Sequence, residues 1–128
     1  MPRKVLVADD SVTIQKVVGI TFASEDIALS FVDNGEEAID LARKIKPDLI
    51  IADVLMPRKS GYEVCEAIKK DPELSGIPVL LLTGTFEPFD AERSRRVGAD
   101  GTITKPFESQ TLIRQVNELL ERAAPGSG

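Results

Sequence analysis

Three continuous apolar runs in this chain each end in a residue able to handle phosphate or metal. Val5-Leu6-Val7-Ala8 leads into Asp9-Asp10, Leu49-Ile50-Ile51-Ala52 into Asp53, and Pro78-Val79-Leu80-Leu81-Leu82 into Thr83. Runs without polar alternation suit strands buried on both faces, the environment of a parallel sheet covered by helices. Parallel strands end along one edge, so residues far apart in the chain converge there. A further short strand, Gly101-Thr102-Ile103-Thr104, ends in Lys105-Pro106 and brings an ammonium to the same edge.

Apolar runs alternate with helical patterns five times, which predicts repeated β-α units and a doubly wound α/β sheet. Ser11 is placed to cap a first helix that carries Ile14, Val17 and Val18 on one side and runs to about residue 23. Ile27–Val32 reads as the second strand, and Asp33-Asn34-Gly35 turns into a helix with Ala38, Leu41, Ala42 and Ile45 at helical spacing. Pro47 stops that helix. A loop over 54–60 follows the Asp53 strand, and Gly61 opens a third helix that ends near Lys70, before the Asp71-Pro72 turn. The fourth helix, over about 90–97, is the least apolar, and Gly98 is placed to end it in a left-handed conformation. Ser109 is expected to cap the last helix, where Leu112, Val116, Leu119 and Leu120 supply a core face.

The 128 residues suffice for one domain, expected over 1–123, with the Ala/Pro/Gly/Ser composition of 124–128 reading as the start of a linker or a tail. A net charge of -5 argues against a polyanionic partner held by bulk charge, so no direct nucleic-acid contact is expected. No apolar run approaches membrane-spanning length, and the expectation is a soluble, cytoplasmic chain without membrane insertion. The single cysteine, Cys65, excludes an internal disulfide and lies in a helical pattern with Val64 and Ile68, as a small core residue would. Histidine is absent, so any phosphohistidine has to come from another protein.

Adjacent Asp9 and Asp10, brought near Asp53, repel one another unless a cation neutralises them. Mg²⁺ suits such a site because it uses few carboxylates and accepts phosphate oxygens among its remaining ligands. With the charge balanced, the Asp53 carboxylate can attack a phosphoryl group and become an aspartyl phosphate. The Thr83 hydroxyl, the Lys105 ammonium and the backbone N–H groups of Leu55 and Gly84 are candidate donors to the transferring oxygens. A side chain at Gly84 would crowd the phosphate.

On these residues the chain resembles the receiver domain of bacterial two-component response regulators over nearly its whole length. The match consists of Asp9-Asp10, Asp53 followed by Met56-Pro57 and Gly61, Thr83-Gly84, and Lys105-Pro106-Phe107, each at a strand end and spaced by β-α units. The resemblance implies a flavodoxin-like five-stranded sheet of order 2-1-3-4-5 with five helices. It implies Asp53 as phosphoacceptor, Thr83 and Lys105 as phosphate-binding groups, and Mg²⁺ held by Asp9, Asp10, Asp53 and the backbone carbonyl of Leu55. The implied donor is a phosphohistidine on a sensor histidine kinase or phosphotransfer protein. Output to a downstream protein, or to a second copy in a homodimer, is implied through the fourth helix, fifth strand and fifth helix. A cis Lys105-Pro106 peptide is also common in such domains.

One departure bears on mechanism. Receivers resembling this one usually carry Tyr or Phe three positions before the lysine, where this chain has Thr102. The usual aromatic flip that follows the threonine hydroxyl has no side chain to act on, and Phe86 and Phe89 are candidate substitutes, or else simple anchors of the fourth helix.

Capping of a helix by Asp10-Ser11 accounts for one acid but not for Asp9, for an acid ending another strand, and for a lysine before proline together. Asp26, Asp33 and Asp100 read as solvated turn residues, and Arg93, Arg95 and Arg96 as a solvated helix face rather than a docking patch. A dehalogenase-like phosphatase would need a second acid two residues after its nucleophile, where this chain has Leu55, and a cap domain for which there is no room. A receiver that has lost phosphorylation and acts as an interaction module is the other rival, opposed by the intact acids, threonine and lysine. No Gly-rich strand-to-helix turn supports nucleotide binding. The reading is a phosphorylation-controlled switch and not a metabolic enzyme.

Overall fold

The computed structural model describes residues 2–84 and 89–123. Five β-α units follow one another: β1 (Arg3–Ala8), α1 (Val12–Thr21), β2 (Ile27–Val32), α2 (Gly35–Ile45), β3 (Leu49–Asp53), α3 (Gly61–Lys70), β4 (Val79–Gly84), α4 (Ala91–Val97), β5 (Gly101–Lys105) and α5 (Ser109–Ala123). The strands form one sheet in the order β2-β1-β3-β4-β5, and every pairing is parallel. This is the doubly wound, flavodoxin-like arrangement with its switch point between β1 and β3.

The uninterrupted apolar runs are explained by two cores, one on each face. Leu6, Ala8, Ile50, Ala52, Val79 and Leu81 point to the side covered by α2, α3 and α4, where Ala38, Ala42, Val64, Cys65, Ile68 and Val97 meet them. Val5, Val7, Leu49, Ile51, Leu80, Leu82 and Ile103 point to the other side, against Val18 of α1, Phe22 just after it, and Leu112, Val116, Leu119 and Leu120 of α5. Cys65 is buried with its thiol directed at the Val97 carbonyl (3.4 Å), and burial pushes its pKa up to about 12, which makes it a core residue and not a nucleophile.

Helix ends follow local chemistry. Ser11, Asn34, Ser60 and Asp90 cap α1 to α4 through their side-chain oxygens, and Ser60 with Glu63 forms a reciprocal capping box. Gly98 ends α4 at φ 86. Ser109 departs from expectation: it lies inside the first turn of α5, not before it, and its hydroxyl meets that of Thr21 on α1 at 3.2 Å. Contact across the α1–α5 face has recruited the side chain that a cap would otherwise use. α1 also ends at Thr21, two residues earlier than its apolar pattern suggests, with Phe22 turned into the core.

Asp100 is likewise not a free turn residue. Its carboxylate accepts from the Val79 N–H (2.8 Å) and pairs with Lys69 (2.9 Å), tying the starts of β4 and β5 to α3. Arg93 lies over the Tyr62 ring, 4.7 Å from its centroid, while Phe89 stacks on the same ring at 6.3 Å. The Tyr62 hydroxyl accepts from the Asp90 N–H (3.0 Å). Phe89 and Arg93 therefore anchor α4 to α3, which supplies the packing that a seven-residue helix with few apolar positions lacks. Phe86 lies outside the described residues.

Candidate functional site

Asp9 follows β1, Asp53 ends β3, Thr83 and Gly84 end β4, and Lys105 ends β5, so the carboxyl edge of the sheet gathers them as parallel pairing requires. The period-two alternation of strands decides which of them meet. Asp9, Asp53 and Lys105 continue the phase of Val7, Ile51 and Ile103, which face α1 and α5. Thr83 continues the opposite phase, that of Val79 and Leu81.

The distances follow that phase. Lys105 Nζ lies 2.8 Å from Asp53 Oδ2 and 3.6 Å from Asp9 Oδ2. Asp53 Oδ1 accepts from the Leu55 N–H at 3.1 Å. Asp53 is thus oriented from both sides, by an ammonium on one oxygen and a backbone donor on the other. The Leu55 side chain is largely exposed, so an apolar residue is tolerated there. Gly61, the first residue of α3, packs directly beneath: a Cβ on it would stand 2.4 Å from the Asp53 carbonyl oxygen. Only glycine lets α3 start this close to the end of β3.

Asp9 is fully buried. Its Oδ1 accepts from the Ser11 N–H (2.8 Å), and its backbone carbonyl accepts from the Gln15 amide (2.8 Å). Its Oδ2 is buried without a hydrogen-bond partner. Burial pushes the Asp9 pKa up from 3.8 to about 6; the Ser11 N–H opposes this, Asp53 adds repulsion and Lys105 relieves part of it. Asp10 is exposed at the mouth of the site, and one carboxylate oxygen from each of Asp9, Asp10 and Asp53 falls within 4.8 Å of the others. One ammonium against three carboxylates leaves excess negative charge, and the donors are hard oxygens. A buried oxygen with no hydrogen bond and only a long ion pair to Lys105, among such donors, fits a small divalent cation such as Mg²⁺.

Thr83 is buried, but its hydroxyl donates to the Thr104 hydroxyl (3.3 Å) rather than to Asp53. Thr102, its neighbour on the same face of β5, is exposed and sits in register with Leu81. The Lys105-Pro106 peptide is cis. Three contributors escaped sequence reasoning. The Gln15 contact, a side chain reaching a carbonyl six residues back, has no sequence signal. The Gly61 approach shows in sequence only as a glycine opening a helix. Thr104 could have been found, since aligning β4 with β5 by their terminal residues places it opposite Thr83.

A doubly wound, flavodoxin-like α/β domain with an acidic trio and a lysine on its carboxyl edge is the class that the fold and the site define. Within that class, residues 5–117 match the family of response regulator receiver domains, and the chain belongs to it. The DNA-binding response regulator MtrA of Mycobacterium tuberculosis is 30% identical over 122 residues, which are 95% of this chain and 52% of MtrA. The signal receiver domain of a signal transduction histidine kinase from Syntrophus aciditrophicus is 37% identical, superposes with a TM-score of 0.88, and is covered to 93% by 96% of this chain. The chemotaxis response regulator CheY4 of Vibrio cholerae is 32% identical with a TM-score of 0.85, over 93% of this chain and 99% of CheY4.

The chain spans about half the length of the curated relatives it matches. Because MtrA is by name a DNA-binding regulator, the expectation of no nucleic-acid contact has no support from the relatives; net charge speaks only for the acidic domain itself. Among the described residues no helix is long and apolar enough to cross a membrane.

Proposed function

We propose that this chain is a phosphoacceptor receiver that takes a phosphoryl group onto Asp53 from a phosphohistidine of a sensor kinase or phosphotransfer protein, and so changes its affinity for a downstream protein. The observation that carries the reading is the Lys105 ammonium 2.8 Å from Asp53, inside a trio of carboxylates that has more negative charge than it can balance. A surface ion pair needs no such excess.

Asp9, Asp10, Asp53 and the Leu55 carbonyl would hold Mg²⁺, which supplies the positive charge that lets an anionic donor approach and shares the charge developing on the phosphoryl oxygens. Asp53 forms a P–O bond as the P–N bond of the donor breaks, and the departing imidazole keeps the electron pair and takes up a proton. Lys105 passes from the Asp53 carboxylate to the new phosphoryl oxygens, and the Thr83 hydroxyl and Gly84 N–H turn toward them as further donors. The same residues would catalyse hydrolysis of the aspartyl phosphate. The receiver occupies 1–123, with 124–128 leading into a linker, and it works in the cytoplasm. The surface of α4, β5 and α5 carries output, to a partner or to a second copy in a homodimer.

The test is incubation with acetyl phosphate and Mg²⁺, borohydride reduction of the acyl phosphate, and mapping by mass spectrometry. Modification is expected at Asp53 alone and is abolished in Asp53→Asn; modification elsewhere would overturn the assignment.

A further inference from the structure

With no aromatic residue at position 102, the resting partner of Thr83 becomes a question that the strand register answers. Thr83 and Thr104 are directly opposed on β4 and β5. Both lie on the face turned toward α3 and α4, away from the side on which Asp53 and Lys105 meet. The Thr83 hydroxyl is buried and donates to the exposed Thr104 hydroxyl at 3.3 Å. We infer that Thr104 is a positioning residue for phosphoryl capture: it holds the Thr83 hydroxyl away from Asp53 in the unmodified protein, and releasing that hydrogen bond is what the phosphoryl group must offset before Thr83 can donate to it. The inference rests on Asp53 being the phosphoacceptor.

The two hydroxyls are unequal, and this sets the direction of the effect. When Thr83 turns to a phosphoryl oxygen, Thr104 is left facing water and loses little. When Thr104 lacks its oxygen, buried Thr83 has lost the acceptor of its resting state and keeps the one it uses on phosphate. A ligand shifts a two-state equilibrium only by its difference in interaction between the states, so weakening the resting state strengthens capture. The same device makes an aromatic at 102 dispensable: the change at Thr83 is passed to β5 two residues closer to Lys105, through a hydroxyl on the surface of an edge strand.

Thr104→Val keeps the β-branched shape on an exposed site, and Thr104→Ser keeps the hydroxyl. Beryllofluoride with Mg²⁺, a mimic of the phosphoryl group, is titrated into each and into the wild type, with methyl NMR of Thr83 recorded before and after. Thr104→Val should bind about 2- to 10-fold more tightly, the range expected for one lost hydrogen bond in the resting state. Its Thr83 methyl resonance should already be displaced toward the bound position without ligand, while Thr104→Ser stays at wild-type values for both. If the wild type binds but Thr104→Val has the same affinity and an unmoved Thr83 resonance, the inference is overturned and the phosphoacceptor reading stands. If the wild type binds no beryllofluoride at Asp53, that reading fails and carries the inference with it.

Discussion

A close lysine-aspartate pair sits at each end of the sheet, at nearly the same distance: Lys69–Asp100 at 2.9 Å on the amino edge and Lys105–Asp53 at 2.8 Å on the carboxyl edge. At the amino edge both partners of the pair are satisfied. Lys69 also donates to the Ile77 carbonyl, Asp100 also accepts from Val79, and both side chains keep some contact with water. At the carboxyl edge the pair is more deeply buried, the lysine also faces Asp9, and the Asp9 Oδ2 has no hydrogen-bond partner. The first pair is a clamp and the second an unbalanced site. Contact distance does not separate them; the count of like charges around each pair does.

Removing each lysine breaks the comparison open. Lys105→Met should slow phosphorylation of Asp53 by about 100-fold or more, the usual effect of losing one donor to a developing anion. Lys69→Met should leave that rate unchanged and lower stability by about 1 kcal/mol, as for a partly exposed pair with backbone hydrogen bonds. Labelling kinetics and urea melts on the two variants decide this, and equal effects on both readouts would erase the distinction.

The excess charge also has a pH signature in the metal-free protein. The folded-state pKa of Asp9 is raised from 3.8 to about 6, so the folded state binds this proton more tightly than the unfolded chain does. The stabilising contribution is fully present below 3.8 and is lost as pH rises through about 6. A rise of that size corresponds to about 3 kcal/mol. In chelator, Asp9→Asn should therefore gain on the wild type by up to about 3 kcal/mol between about pH 4 and pH 7. Parallel stability curves would show that Asp9 ionises without penalty.

Two glycines sharpen the contrast further. Gly61→Ala drives a Cβ into the Asp53 carbonyl oxygen at 2.4 Å and should destabilise by about 1–3 kcal/mol while displacing the Asp53 and Leu55 amide resonances. Gly76, near the amino edge, has nothing within 4 Å of its added Cβ, and Gly76→Ala should stay within about 0.5 kcal/mol of wild type.

The parts of this protein that could be read from sequence are those encoded along one strand. A run such as Leu49 to Ala52 declares its two-sided burial by itself, and Asp53 at its end is placed by parallel pairing alone. What escaped depends on two elements at once. Asp100 looks like a turn residue until Lys69 arrives from α3, and Ser109 looks like a cap until Thr21 arrives from α1. Thr83 carried the right chemistry, and aligning the ends of β4 and β5 sets Thr104 opposite it, but that the two hydroxyls bond to each other needs both strands in place. The exposed position of Asp10 beside buried Asp9 follows from where β1 stops, a boundary that the apolar pattern locates only to within a residue or two.

The central claim is that the carboxyl edge holds more negative charge than Lys105 can balance, so that Asp53 reacts only when a divalent cation joins it. Initial rates of Asp53 phosphorylation by acetyl phosphate, measured against Mg²⁺ concentration in wild type and Asp10→Asn, test it directly. The wild type should show no labelling in chelator and a saturable rise with Mg²⁺, and Asp10→Asn, still folded, should need about 10-fold more Mg²⁺ to reach half its maximal rate. Equal labelling in chelator and in Mg²⁺, or an unshifted Mg²⁺ dependence in Asp10→Asn, would contradict the account.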